Sequence, residues 1–271
     1  MNKTEINLYL KQSFADITTQ LSDIYGIDST CRLSDFLAGM LGESHSKPSH
    51  PLQKPRLLFF PGLSNGPWID ESSSETTAHV AKLLAENFHA IKEEFTAATG
   101  QLKVYSSSTL FKNLSEKDWS SISLWSRGEF SEKIIHFPNL KKLIGRLEDT
   151  LFPWRGEVTF MRLKGGAWLP EHYDWTNAQI TCHFGITIPE DCGLIVAGEE
   201  RRWEEGKSIF FDHSFLHNVY NHSDSDRDIL LINLLHPELT DAEVHGIRLL
   251  GPVLAKISDS PDKRDHHRSP E

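Results

Sequence analysis

Hydrophobic positions near the N-terminus recur at the helical period. Leu10, Phe14, Ile17, Leu21 and Ile24 alternate spacings of four and three and draw one apolar stripe along a helix. Such a stripe needs a covering surface, either one end of a larger fold or a second copy of the chain. The polar stretch from Gly42 to Pro55, GESHSKPSHPLQKP, follows and reads as a linker, which makes residues 1–55 a helical extension ahead of the main domain. RLLFFPGLSNGPWID comes next, a short apolar strand ending at Pro61-Gly62 and a second turn around Gly66-Pro67. The pattern predicts a helix from about Thr77 to Thr99, with Val80, Leu83, Leu84, Phe88, Ile91 and Phe95 on one face. Another begins at Pro138, a residue suited to a first helical turn, and carries Leu140, Leu143, Ile144 and Leu147. These helices read as an outer layer.

From Gly156 onward the rhythm shortens to apolar runs broken by Gly, Pro, Asn and Asp: EVTFMRL, ITCHFGITI, GLIVAG, SIFFD, HNVYN and DILLINLL. Short strands at such spacing predict an antiparallel sandwich or barrel, so the expected fold is mainly β with flanking helices. The main domain is expected over residues 56–256, followed by a disordered tail over 257–271. No internal repeat is visible.

Composition narrows the classes. Among 271 residues, 38 acidic side chains against 28 basic ones give a net charge of -10, which argues against a nucleic-acid or anionic-membrane partner. The 3 cysteines, Cys31, Cys182 and Cys192, form no C-x-x-C pair, so neither a disulfide framework nor a thiolate zinc site is expected. No apolar run reaches the roughly 18 residues of a membrane span, and charges interrupt the N-terminal segment, so a cytoplasmic chain is expected. The unusual count is 14 His, the commonest metal-ligand type.

The β-rich half holds His172-Tyr173-Asp174, later His217, and then Arg227 at the start of the run that follows. On a strand, residues i and i+2 face the same way, so His172 and Asp174 can point together into a barrel and His217 can complete one face of an octahedron. Two histidines and a carboxylate with three open positions suit a non-haem Fe(II) oxygenase. Such sites hold 2-oxoglutarate and O2, and Arg227 offers the always-charged fork that a buried dicarboxylate requires.

Longer motifs surround these residues: GGAWLPEH before and through His172, then CHFGITIPEDC, WEEGKSIFFDHSFLHNVYN and HPELT, with FFPGLSNGPWID upstream. Together they resemble the aspartyl/asparaginyl β-hydroxylase family of Fe(II)/2-oxoglutarate oxygenases, over about residues 56–250. The resemblance implies a double-stranded β-helix, a cupin-like jelly roll. It implies iron on His172 and His217, with Asp174 as third ligand, and 2-oxoglutarate anchored by Arg227. It also sets His183 near the cosubstrate, although a hydrogen-bonded core histidine is an equal reading. The implied substrate is an aspartyl or asparaginyl residue, or a related amino acid or acyl chain, with succinate and CO2 as coproducts.

Three positions depart from the best-known animal member of that family, which leaves to water the place where this chain has Asp174. Thr181 stands where that member has a second arginine on the cosubstrate, and Met161 replaces a serine contact. Arg155, Arg162, Arg201 and Arg202 are the basic candidates for holding a substrate carboxylate. Asp212 either orients a ligand or is a solvated loop carboxylate, while His213 and His222 read as loop histidines and His236 as packing at the barrel's end. Trp203 reads as a cover of the barrel, with Gly206 in the turn beside it. Two other classes stay open: a non-catalytic jelly-roll module that recruits a partner through its N-terminal helix, and a cupin-like metalloenzyme that does not use 2-oxoglutarate. The oligomeric state is not legible.

Overall fold

The computed structural model describes residues 1–44, 46–104 and 118–258, so the expected tail, Ile257 and Ser258 apart, lies outside the described residues. Four strands come first: β1 (Trp68–Ile69), β2 (Lys103–Val104), β3 (Trp119–Ser126) and β4 (Glu129–Phe130). The eight that follow are β5 (Glu157–Leu163), β6 (Trp168–His172), β7 (Gln179–Thr187), β8 (Cys192–Val196), β9 (Glu199–Arg201), β10 (Ser208–Phe211), β11 (His217–Asn221) and β12 (Arg227–Leu235). They form one long folded hairpin, in which β8 pairs with β9 at the tip, then β7 with β10, β6 with β11 and β5 with β12. The tip turns on Ala197 and Gly198, both at positive φ (52° and 84°), as a two-residue hairpin of matching twist requires.

Apart from β8 and β9 at the tip, which share the smaller sheet, successive strands of this hairpin fall in opposite sheets. The larger sheet runs β1-β10-β7-β12-β5-β3-β2, with β4 beside β3, and the smaller runs β6-β11-β8-β9. All the paired strands are antiparallel, and the nested pairs make a double-stranded β-helix, the mainly-β jelly roll with flanking helices that the strand texture predicts.

Alternation sorts the core. Val158, Phe160, Phe184, Leu230 and Ile232 of the larger sheet pack with Val80, Leu84, Ile91, Phe95, Leu140 and Ile144 of the helices α3 (Glu75–Glu86), α4 (Phe88–Ala97) and α5 (Pro138–Leu147). The residues between them, Met161, Leu163 and Ile229, turn inward to meet Leu194, Val196, Phe215 and Val219 of the smaller sheet or its approach, with Trp203 among them. The single helix expected from Thr77 to Thr99 is interrupted at Asn87, whose backbone leaves the helical region and whose Nδ2 donates to Leu83 O at 2.8 Å.

The chain divides into two units, the jelly roll with residues 48–56 and 64–237, and a helical unit of residues 1–47, 57–63 and the segment from Glu238 onward. In the helical unit α1 (Lys3–Tyr25) buries Leu10, Phe14, Ile17 and Leu21, while Ile24, at its frayed end before Gly26, is 56% exposed. Within this unit the stripe is covered by α2 (Cys31–Met40) and α6 (Asp241–Ser258). Gly246 of α6 allows the close approach, since a Cβ there would sit 2.2 Å from Leu33 Cδ2 and 3.0 Å from Leu21 Cδ1. The expected strand at Leu57–Phe60 forms no regular ladder; Phe60 instead packs on Phe36, ring centroids 4.9 Å apart. Nor is the stretch ending at Pro55 a loose linker within the jelly-roll unit. Gln53 is buried and bridged to Phe215, and Leu216 N donates to Leu52 O at 2.8 Å. Among the described residues no helix is long and apolar enough to cross a membrane.

Candidate metal centre and its pocket

Pairing of β6 with β11 sets His217 directly opposite His172, and the ring centroids lie 4.0 Å apart. Nδ1 of His172 is 2.7 Å from Pro170 O and Nδ1 of His217 is 2.8 Å from Phe215 O. A carbonyl can only accept, so each ring donates from Nδ1, which makes Nε2 the nitrogen able to donate a lone pair to a metal. Burial, with His172 beside it, pushes His217 down to about 3, so its imidazole is neutral at physiological pH.

Asp174 reaches this pair by another route than the one expected. The strand ends at His172, where the chain leaves the ladder, and Asp174 lies in the following loop. Two backbone hydrogen bonds hold it, Asp174 N to His213 O at 2.9 Å and Arg56 N to Asp174 O at 2.8 Å. Its Oδ2 is 3.7 Å from His217 Nε2, and one ligand atom from each of His172, Asp174 and His217 lies within 4.8 Å of the others. Burial opposes ionisation of Asp174, but His213, His217, His172 and Arg56 outweigh it and hold the carboxyl below its usual range. Two imidazoles and one carboxylate on a common centre form a donor set that suits a divalent transition metal with open positions.

Arg227 opens β12 and is buried at 2% exposure. Among the described residues it forms no carboxylate ion pair, its Nε lacks a partner, and its guanidinium lies 4.8 Å from the Trp203 ring centroid. Burial pushes it down to about 10, which leaves it cationic at neutral pH. His183, on β7, is also buried, and its Nδ1 has no partner. Burial and the neighbouring Arg227 hold its pKa well below the ordinary value, so His183 is a neutral ring. The hydrogen-bonded core histidine is thus not what stands here.

The three candidate ligands and His183 line a cavity of about 540 Å³, large enough for a small cosubstrate and a side chain together; Arg227 is not in its wall. Thr181 and Met161 both line it. Thr181 Oγ1 is hydrogen bonded to His213 Nδ1 at 3.0 Å and accepts from Asn233 Nδ2 at 3.1 Å, so a polar network occupies the position where an arginine was looked for.

His213 is therefore no ordinary loop histidine. It is buried, lines the cavity, and brings Nδ1 to 3.6 Å from Asp174 Oδ2. The signal was in the sequence, since it lies on the approach to His217. Asp212 is buried rather than solvated; it accepts from Gln53 Nε2 and from Ser214 N, both at 2.8 Å, and fixes the turn that leads into β11. His222 is exposed and stacked on Tyr220, and His236 is buried. Gly206 has φ +73° and Trp203 is buried in the barrel, as expected of that turn.

Of the four arginines picked out for substrate, only Arg155 lines the cavity. Arg162 is held by Asp228 through Nε at 2.7 Å and Nη2 at 2.9 Å, Arg201 lies over Trp68, and Arg202 pairs with Glu200. The cavity takes its other cations from Arg56, Lys103, Arg127 and Lys133, all remote in sequence from the histidine motifs and joined to them only by the fold.

Comparison with known proteins agrees with this architecture. The family model described as aspartyl/asparaginyl beta-hydroxylase matches residues 85–237, more than half of the chain. Aspartate beta-hydroxylase domain-containing protein 2 of Rattus norvegicus is 31% identical over 211 residues, 73% of this chain and 58% of its own. The aspartyl/asparaginyl beta-hydroxylase of Homo sapiens is 33% identical over 186 residues, 66% of this chain and 24% of its own. The chain thus spans little more than half the length of the first relative and about a quarter of the second. Among solved structures, the Cnp3 cupin domain of Schizosaccharomyces pombe overlays 47% of this chain and 71% of its own at 9% identity and a TM-score of 0.29. The fold assignment rests on the strand order instead. From the matched stretch, which takes in β2 to β12 and both histidines, the chain belongs to the aspartyl/asparaginyl β-hydroxylase family.

Proposed function

We propose that this chain is an Fe(II)- and 2-oxoglutarate-dependent hydroxylase acting on the β-carbon of an aspartyl or asparaginyl residue, in a peptide or protein, or of a related amino acid. The observation that carries the reading is the trio of His172, Asp174 and His217, whose ligand atoms converge within 4.8 Å of one another while both Nδ1 atoms are committed to backbone carbonyls. In this reading the three side chains hold the iron. Arg227, buried without a counter-ion among the described residues, anchors the distal carboxylate of 2-oxoglutarate, and neutral His183 lies beside it without adding charge. Bound iron supplies the oxidising chemistry with O2, and 2-oxoglutarate leaves as succinate and CO2. The protein's own contribution is orientation and exclusion of water: the ladder between β6 and β11 fixes the two histidines, and Leu169, Phe211 and Val219 wall the cavity with hydrocarbon.

The test is succinate formation from 2-oxoglutarate and Fe(II), run with aspartyl and asparaginyl peptides and free amino acids. Succinate and a mass gain of one oxygen on a peptide or amino acid are expected. Metal binding without succinate would instead favour a cupin-like metalloenzyme that does not use 2-oxoglutarate. Loss of both would favour a non-catalytic module.

A further inference from the structure

Around a protein of net charge -10, the mouth of one cavity gathers Arg56, Lys103, Arg127, Lys133 and Arg155. The carboxylates in the same wall are two. Asp174 belongs to the candidate ligand set, and Glu157 accepts from Thr159 Oγ1 at 3.0 Å. Among the described residues none of the five cations makes an ion pair. Cations elsewhere do so readily, as Arg32 with Glu243 at 2.6 Å, Lys92 with Glu205 at 2.6 Å and Arg162 with Asp228 at 2.7 Å. Positive charge is paired away from the cavity and left open at its mouth.

The geometry of the arginines is also specific. The guanidinium of Arg155 lies 4.5 Å from the Trp175 ring centroid and that of Arg56 lies 4.9 Å from it, so one indole, directly after Asp174, orders two cations. Arg155 and Arg127 both hold left-handed backbone, φ 60° and 55°, which bulky residues rarely adopt. At Arg155 the cause is visible: a Cβ on the next residue, Gly156, would lie 2.1 Å from Phe152 O, so the turn is clamped tight and its strain falls on the arginine. Arg127 is tied to the same turn, its N–H donating to Gly156 O at 3.3 Å. The left-handed backbone of Arg127, with Gly128 at φ 87°, is what the two-residue turn between β3 and β4 requires, and that turn fixes where the arginine stands. Burial and the neighbouring Arg127 and Arg56 lower the pKa of Arg155, as like charges do with no anion between them.

We propose that Arg56 and Arg155, ordered on Trp175, together with Arg127 form an anion subsite at the cavity mouth that binds a second oxyanion, carboxylate or phosphate, on the molecule whose other end faces the candidate metal ligands. The substrate class is therefore a small molecule or peptide carrying an anionic group apart from the one presented to the metal. The word substrate rests on the hydroxylase reading; the anion subsite does not.

The test uses calorimetry on the full chain, metal-free, with three matched probes: N-acetylated tripeptide amides Asp-Gly-Glu, Asp-Gly-Gln and Asp-Gly-phosphoserine. The Glu or phosphoserine peptide is expected to bind about ten- to hundredfold more tightly than the Gln peptide, as one charged contact gives. The tighter of the two assigns carboxylate or phosphate, and either upholds the subsite. Arg155→Gln is expected to abolish the preference of the charged peptides over the Gln peptide. Arg127→Gln, at an exposed position, repeats the test where Arg155→Gln fails to fold. Equal affinity for all three peptides, or full preference in both variants, overturns the subsite. A charge preference that stands while no probe yields succinate with Fe(II) and 2-oxoglutarate overturns the hydroxylase reading alone.

Discussion

Along β7 the side chains of Ile180, Cys182, Phe184 and Ile186 enter the core shared with the helices, while those of Gln179, Thr181 and His183 line the cavity. Both sets are buried, so burial alone does not separate a core from a site. On the cavity side the buried Gln179 Oε1 and His183 Nδ1 lack partners, the state that a bound polar group relieves. Neighbouring residues show the contrast in charge. Burial pushes the Cys182 thiol up to about 12 and holds His183 well below its ordinary value, one cause with opposite sign because it disfavours thiolate and imidazolium alike. The apolar face thus carries the stability that lets the other face hold unpaired polar atoms.

Substitutions on the two faces should break different properties. His217→Ala, on the cavity side, is expected to lower succinate formation by more than about a hundredfold, beyond the loss that follows from removing a ligand's outer partner. Intact turnover in this variant would remove His217 from the ligand set. Phe184→Ala, on the helix side against Phe88, is expected to cost about 3–5 kcal/mol in urea unfolding while its folded fraction still binds metal. A variant that stays as stable as the parent but loses metal would erase the division between faces. Arg227→Gln is expected to raise the KM for 2-oxoglutarate about ten- to hundredfold with metal affinity unchanged, and Arg227→Lys to restore part of it. An unchanged KM would make Arg227 structural.

Legibility in the sequence followed the range of the interactions involved. Local period revealed six strands of the hairpin and the buried face of α5, because alternation and the 3.6-residue repeat are written in neighbouring residues. The candidate ligand trio was also legible from the H-x-D motif and the later histidine, yet the strand argument for Asp174 was not the real one. Its position depends on backbone bonds from Arg56 and to His213, which no spacing reveals. The cavity cations were hidden for the same reason, since Arg56, Lys103 and Arg127 meet Arg155 only when β2 and β3 extend the sheet beyond β5. The polar segment before Pro55 misled because composition marks a linker, whereas Gln53 enters the fold through its buried amide and a backbone bridge to Phe215.

The smallest effect expected sharpens the comparison most directly, because it concerns one atom on the helix side of β7. Cys182 is fully buried, and its thiolate, the reactive form, becomes abundant only as pH approaches about 12. Cys192 is buried as well, with its thiol also pushed up by burial, while Cys31 is exposed. Alkylation of the native protein with iodoacetamide at mildly alkaline pH should therefore label Cys31 and leave Cys182 and Cys192 untouched, as peptide mass mapping would register. Denaturant should bring all three into reaction. If Cys182 were labelled in the native state as fast as Cys31, water and reagent would be reaching the helix side of β7. The two faces would then differ in side-chain chemistry but not in solvation, and the low pKa of His183 would need a cause other than a dry barrel.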